Sequence, residues 1–165
     1  MNGSSTFLPA GTPAPPFSLK AEVSERPVNL ASTLGALLLV FHSYQTAPAV
    51  GEIIRAVRGQ YPDPDHLLIA GVADMRPVPR LLRSTAKAFI KSAYNEASRE
   101  VPAGQDPAKH IIILADWDGI LYEAYRTPRT DRQVALVLVD QPKPIAGTYF
   151  GAQPAQAALS LLDNL

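Results

Sequence analysis

The sequence contains no cysteine. Disulfides, thiolate catalysis, zinc–thiolate sites and iron–sulfur clusters are therefore excluded for this polypeptide. An excess of charge is missing as well: 15 basic and 15 acidic side chains cancel. No global field draws nucleic acid or an anionic membrane. Long apolar runs are also lacking. The longest, Ala36 to Phe41 and Val134 to Val139, fall far short of the ~20 residues that span a bilayer. The opening MNGSSTFLPAGTPAPPF has no basic segment followed by an apolar stretch, so it does not read as a secretory signal. The expectation is a soluble, cytoplasmic protein with neither a membrane nor a nucleic-acid partner.

What is present fits one folded domain. The chain has 165 residues, 47% of them hydrophobic and 18% charged. A chain of this size buries about two thirds of its unfolded surface, so its core needs no covalent staple. Its 16 prolines, about twice the usual share, punctuate the elements. Residues 1–16 read as an extended, Pro-rich arm, and 17–165 as the domain. Phe17 to Leu19 and Val28 to Leu30 alternate around a polar turn, which predicts a hairpin. Leu37–Phe41, Leu67–Val72 and Ile111–Leu114 are continuous apolar runs, the mark of strands buried on both faces.

Helical spacing lies between these runs. Val50, Ile53, Ile54 and Val57 share one face before Tyr61-Pro62. A long helix is predicted from about Pro79 to Arg99, with Leu82, Ala86, Phe89 and Ala93 as its buried stripe. A short helical segment through Tyr125, strands Val134–Val139 and Ile145–Phe150, and a helix Pro154–Leu162 complete the chain. Strands alternating with helices require right-handed crossovers and a mostly parallel sheet with an antiparallel edge. The fold class is α/β.

This order, read with particular residues, resembles the thioredoxin-fold redoxins: the peroxiredoxins and TlpA-like thiol reductases. GTPAPPFSLKAEVSERPVNLASTLGALLLVF is similar to the redoxin opening. Phe41-His42-Ser43-Tyr44-Gln45-Thr46-Ala47-Pro48-Ala49 sits where TlpA-like proteins carry Phe-Trp-Ala-x-Trp-Cys-Pro-Pro-Cys. Glu52 falls on the Glu that often follows, LLIAGVAD resembles the next redoxin strand, and VALVLVDQPKPIAGTYFG resembles the late hairpin. The resemblance implies a three-layer thioredoxin-like fold: a central mixed β-sheet flanked by helices, with an N-terminal hairpin extension. It also places Thr46 and Ala49 at the two Cys positions. Thiol–disulfide exchange and peroxide reduction both need a thiolate, so the family's redox activity does not carry over. The cis-Pro that precedes the fourth strand in the family is replaced by Gln133 or Val134.

The residues around the vacated thiol site carry two functional readings. The first is a redox-inactive module that binds or assembles with a protein or peptide partner, contacting it through Tyr44, Gln45, Thr46, Ala49, Arg126, Arg129 and Arg132. Dimerisation along a sheet edge belongs to the same reading. In the second, Ser43 and Thr46, with the Arg126/Arg129/Arg132 loop, form an enzyme or small-anion site. There three guanidiniums would hold a carboxylate or phosphate. His42 beside Ser43 is the one candidate base, but consecutive strand residues point to opposite faces. Ser43 or Thr46 could equally cap the helix that follows.

Metal and cofactor are expected to be absent, since His42, His66 and His110 show no ligand spacing. Most of Arg76, Arg80, Arg83, Lys87 and Lys91 form one basic stripe along the long helix, read as a solvated face, with binding of an anion, RNA or an acidic partner as the alternative. Trp117 and Tyr122 read as packing residues.

Overall fold

The computed structural model describes residues 7–140 and 144–165. The chain enters its main sheet at Gly35, whose φ is +71° and whose Cα faces the His66 carbonyl. A side chain there would collide with that backbone, and positive φ is itself disfavoured for L-residues. Next comes β3 (Ala36–His42), preceded by the hairpin β1 (Ser18–Lys20) and β2 (Pro27–Asn29) and followed by α1 (Ala47–Gln60). β4 (Leu67–Asp74), α2 (Arg83–Ser98), α3 (Pro107–His110) and β5 (Ile112–Asp116) come next. The chain ends with α4 (Ile120–Ala124), β6 (Ala135–Val139), β7 (Ile145–Phe150) and α5 (Pro154–Leu162).

The sheet order is β5-β4-β3-β6-β7. β3, β4 and β5 are mutually parallel, as their unbroken apolar runs imply, while β6 and β7 are antiparallel additions. Alternation along the strands divides the core into two layers. Leu37, Leu39 and Phe41 pack with Tyr122, Tyr125 and the N-terminal segment. Leu38 and Val40 face the other way, onto Ile53 and Val57 of α1 and Ala158 and Leu162 of α5. Residues 141–143, between β6 and β7, lie outside the described set.

The N-terminal segment straps the sheet. At β7, the Gly11 N–H donates to the Ile145 carbonyl and Ile145 returns a bond to Thr12, at 2.8 and 2.9 Å. The segment then crosses the Phe41 layer, where Ala14 is buried and the Tyr125 hydroxyl donates to the Pro15 carbonyl at 2.9 Å. At the opposite edge the Glu22 N–H donates to Ile113 of β5 at 2.8 Å. Each outer strand is thus partly covered along its open edge.

α2 departs from the expected stripe. A 3₁₀ turn, Arg80–Leu82, precedes it, and none of its residues is fully buried. Its half-buried positions are Arg83, Ala86, Ile90, Tyr94, Ala97 and Ser98. Leu82 and Phe89, predicted as core, are 52% and 62% exposed. The helix turns a neighbouring face inward, with Ala86 and Ile90 half-buried and Arg83 lying over the Trp117 ring, 5.0 Å from its centroid. α3 is a single turn whose N-cap Asp106 accepts the Ala108 N–H at 3.0 Å.

Candidate functional site

The carboxyl ends of the three parallel strands lie together, the position where open α/β sheets build sites. β3 ends in His42, whose imidazole lies over Gly71. A Cβ at Gly71 would stand 3.4 Å from Nε2. The ring's Nδ1 is 3.2 Å from the Ser43 carbonyl, which can only accept, so Nδ1 carries the proton. Burial holds this histidine below the usual imidazole range, opposed in part by that carbonyl bond.

Beyond His42 the chain folds back on itself. The Ser43 and Thr46 hydroxyls both donate to the Thr130 carbonyl at 2.8 Å. Thr46 Oγ1 also accepts the Ser43 N–H at 2.9 Å. The Tyr122 hydroxyl donates to the His42 carbonyl at 3.0 Å and lies 2.7 Å from Thr130 Oγ1. Its ring meets Phe41 edge-to-face at 5.0 Å. Four segments, β3, the start of α1, α4 and the loop before β6, therefore close on Thr130.

Thr46 stands at the N-cap position but makes no side-chain cap. The capping expected of Ser43 or Thr46 is replaced by this cross-chain clasp. Each hydroxyl has one hydrogen, and in both it points at a carbonyl that cannot take a proton. His42 contacts the Ser43 carbonyl rather than either hydroxyl. Nucleophilic activation thus lacks its base in this arrangement.

The predicted site residues are brought together unevenly. Tyr44 is 81% exposed at the rim, its ring edge-on to Phe89 with centroids 6.5 Å apart. Gln45 is exposed, and Ala49 is half-buried in the first turn of α1. The Ala49 N–H donates to the Thr46 carbonyl at 3.1 Å and Pro48 has none, so the helix start offers few free donors. Arg129 and Arg132 flank the inward-turned Thr130 and are both exposed, with Arg129 Nε 3.8 Å from Asp131. Arg126 leaves α4 at φ +52° and is exposed.

Sequence reasoning passed over Thr130, because the group that acts is its backbone carbonyl, and no residue type signals that. Beside the clasp, Asp116 accepts the Leu121 and Tyr122 N–H groups at 3.0 Å, anchoring α4. Burial raises its carboxyl, opposed by those donors and by Arg76. Arg76 grips Asp74 with two bonds of 2.9 Å and lies 4.6 Å from the Tyr122 ring centroid. Among the described residues no group of acidic or histidine side chains could hold a metal ion.

No family model matches the chain, and no curated protein matches it. Solved structures do. The pneumococcal exposed lipoprotein thioredoxin Etrx1 from Streptococcus pneumoniae strain TIGR4 superposes with a TM-score of 0.66 at 18% identity, covering 92% of this chain and 100% of that one. The fold is the thioredoxin fold. A DsbF homologue from Corynebacterium diphtheriae matches with a TM-score of 0.66 at 14% identity, over 100% of this chain and 96% of its own. A secreted Mycobacterium tuberculosis disulfide oxidoreductase homologous to DsbE of E. coli gives 0.57 at 15%, over 90% and 92%. This chain therefore combines a mixed five-stranded sheet of thioredoxin-like fold, flanking helices and an N-terminal antiparallel hairpin, without cysteine. No helix among the described residues is long and apolar enough to cross a membrane.

Proposed function

We propose that this thioredoxin-fold chain works as a redox-inactive binding or assembly module in the cytoplasm. It holds a protein or peptide partner against Tyr44, Gln45 and the loop carrying Arg126, Arg129 and Arg132. The supporting observation is the clasp, in which Thr46 and Ser43 both donate to the Thr130 carbonyl at 2.8 Å. Where the redoxin motif would carry its first thiol, the Thr46 hydroxyl, joined by that of Ser43, ties two loops together, which keeps the shape of the face and leaves its chemistry idle. An exposed tyrosine edge-on to an exposed phenylalanine has the composition of an anchor for a partner. Favouring binding over hydrolysis or transfer, neither hydroxyl meets a base. Capture on immobilised protein from the native host, read by mass spectrometry, tests the reading. Tyr44→Ser combined with Arg129→Ala and Arg132→Ala should lose the captured partner while thermal unfolding stays nearly unchanged. An undiminished capture would place the interface elsewhere.

A further inference from the structure

A second feature lies on the other flank of α2. Between Met75 and Asn95 the sequence has five cations, Arg76, Arg80, Arg83, Lys87 and Lys91, and no acidic residue. Arg76 is paired with Asp74. The other four have no carboxylate partner among the described residues. Arg83, Lys87 and Lys91 follow one another at intervals of four, where like charges on a helix repel. Two of them converge further. The Arg83 guanidinium lies 5.0 Å from the centroid of the Trp117 ring, and the Lys87 ammonium 5.9 Å from the same centroid. Arg83 Nε is buried and has no hydrogen-bond partner.

An indole attracts a cation, but it does not cancel the repulsion between two. A buried donor without an acceptor adds a further cost. An anion bridging Arg83 and Lys87 would relieve the repulsion between the two cations. A guanidinium fork beside an ammonium suits a phosphate, which offers several oxygens to separate donors.

We propose that Arg83 and Lys87, seated on Trp117, form a phosphate-binding site on α2, with Arg80 and Lys91 extending it by a turn at either end. The site is independent of the partner face at Thr46. Its ligand is a phosphate-bearing anion with more than one charge.

Trp117 is the sole tryptophan, so its fluorescence reports this site alone. Pyrophosphate titrated at constant ionic strength should change the emission saturably, with a midpoint in the low millimolar range or tighter. Arg83→Gln with Lys87→Gln should weaken binding at least about tenfold, read by calorimetry because the variant alters the baseline emission. Lys87→Gln alone gives the same readout if the double variant unfolds. Phosphatidylglycerol vesicles distinguish the source: tighter binding to vesicles at equal phosphate assigns a headgroup, weaker binding a soluble anion, and either supports the site. No saturable response to pyrophosphate or vesicles overturns the proposal. So does equal affinity in the variants, or tighter binding of a pentaglutamate peptide, which would make this a carboxylate surface.

Discussion

The Thr46 hydroxyl and the Thr130 carbonyl, 84 residues apart in sequence, meet at 2.8 Å in the buried floor of the candidate site. Replacing Thr46 with Val keeps the shape but removes the donor and strands the Ser43 N–H. The expected loss is about 1–3 kcal/mol in urea unfolding, with Thr46→Ser retaining most of the stability. Equal stability of the Val variant would show that the bond is not what joins the loops.

Leu39 lies in the central strand with no exposed surface. Leu39→Ala should cost about 2–5 kcal/mol through lost transfer energy and the cavity left behind. A change below roughly 1 kcal/mol would deny β3 its central place.

Acid should destabilise the protein through its histidines. Burial depresses His42, and it also depresses His110, with Arg58 adding to the effect. A depressed histidine binds its proton more readily when unfolded, so stability is full above the unfolded value near 6.5 and falls as pH drops below it. The slope reaches at most about 1.4 kcal/mol per pH unit for each group. Unfolding followed from pH 7.5 to 5.5 should show this decline, and His42→Gln should make it shallower. An unchanged slope in that variant would remove His42 from the account.

Val23 is a β-branched residue at φ +69° in the turn of the hairpin, 38% exposed. Left-handed backbone costs such a residue about 1–2 kcal/mol, and Asn tolerates it better. Val23→Asn should therefore raise the melting temperature by a few degrees. A lower melting temperature would contradict the strain.

Without a thiol, the purified chain should neither turn over hydrogen peroxide nor reduce insulin disulfides. Assays against a heat-killed control check this, and activity above that control would refute it.

The sheet was legible in the sequence because three uninterrupted apolar runs admit few other placements. α5 matches its expected limits, Pro154–Leu162, for a similar reason: a proline start and one apolar face. The orientation of α2 was not legible. Periodicity locates apolar residues around a helix, but not which flank is covered, and Arg83 takes an inward position by lying over Trp117. The meeting of the 42–46 segment with the loop before β6 was foreseen from the redoxin resemblance. That a backbone carbonyl would join them could not be, since side-chain identity carries no such information.

The N-terminal strap has a consequence for synthesis. Gly11 finds its partner only when Ile145 exists, about 130 residues later. At ~5–20 residues per second, that delay is roughly 7–26 seconds. Throughout it, Ala14, Phe17 and Leu19 have no finished layer to cover, and the edge of β7 that will receive the strap does not exist. The apolar side of this segment therefore stays open until β7 is made. Stalling anywhere before residue 145 would release a product with the segment around Gly11 still unlatched.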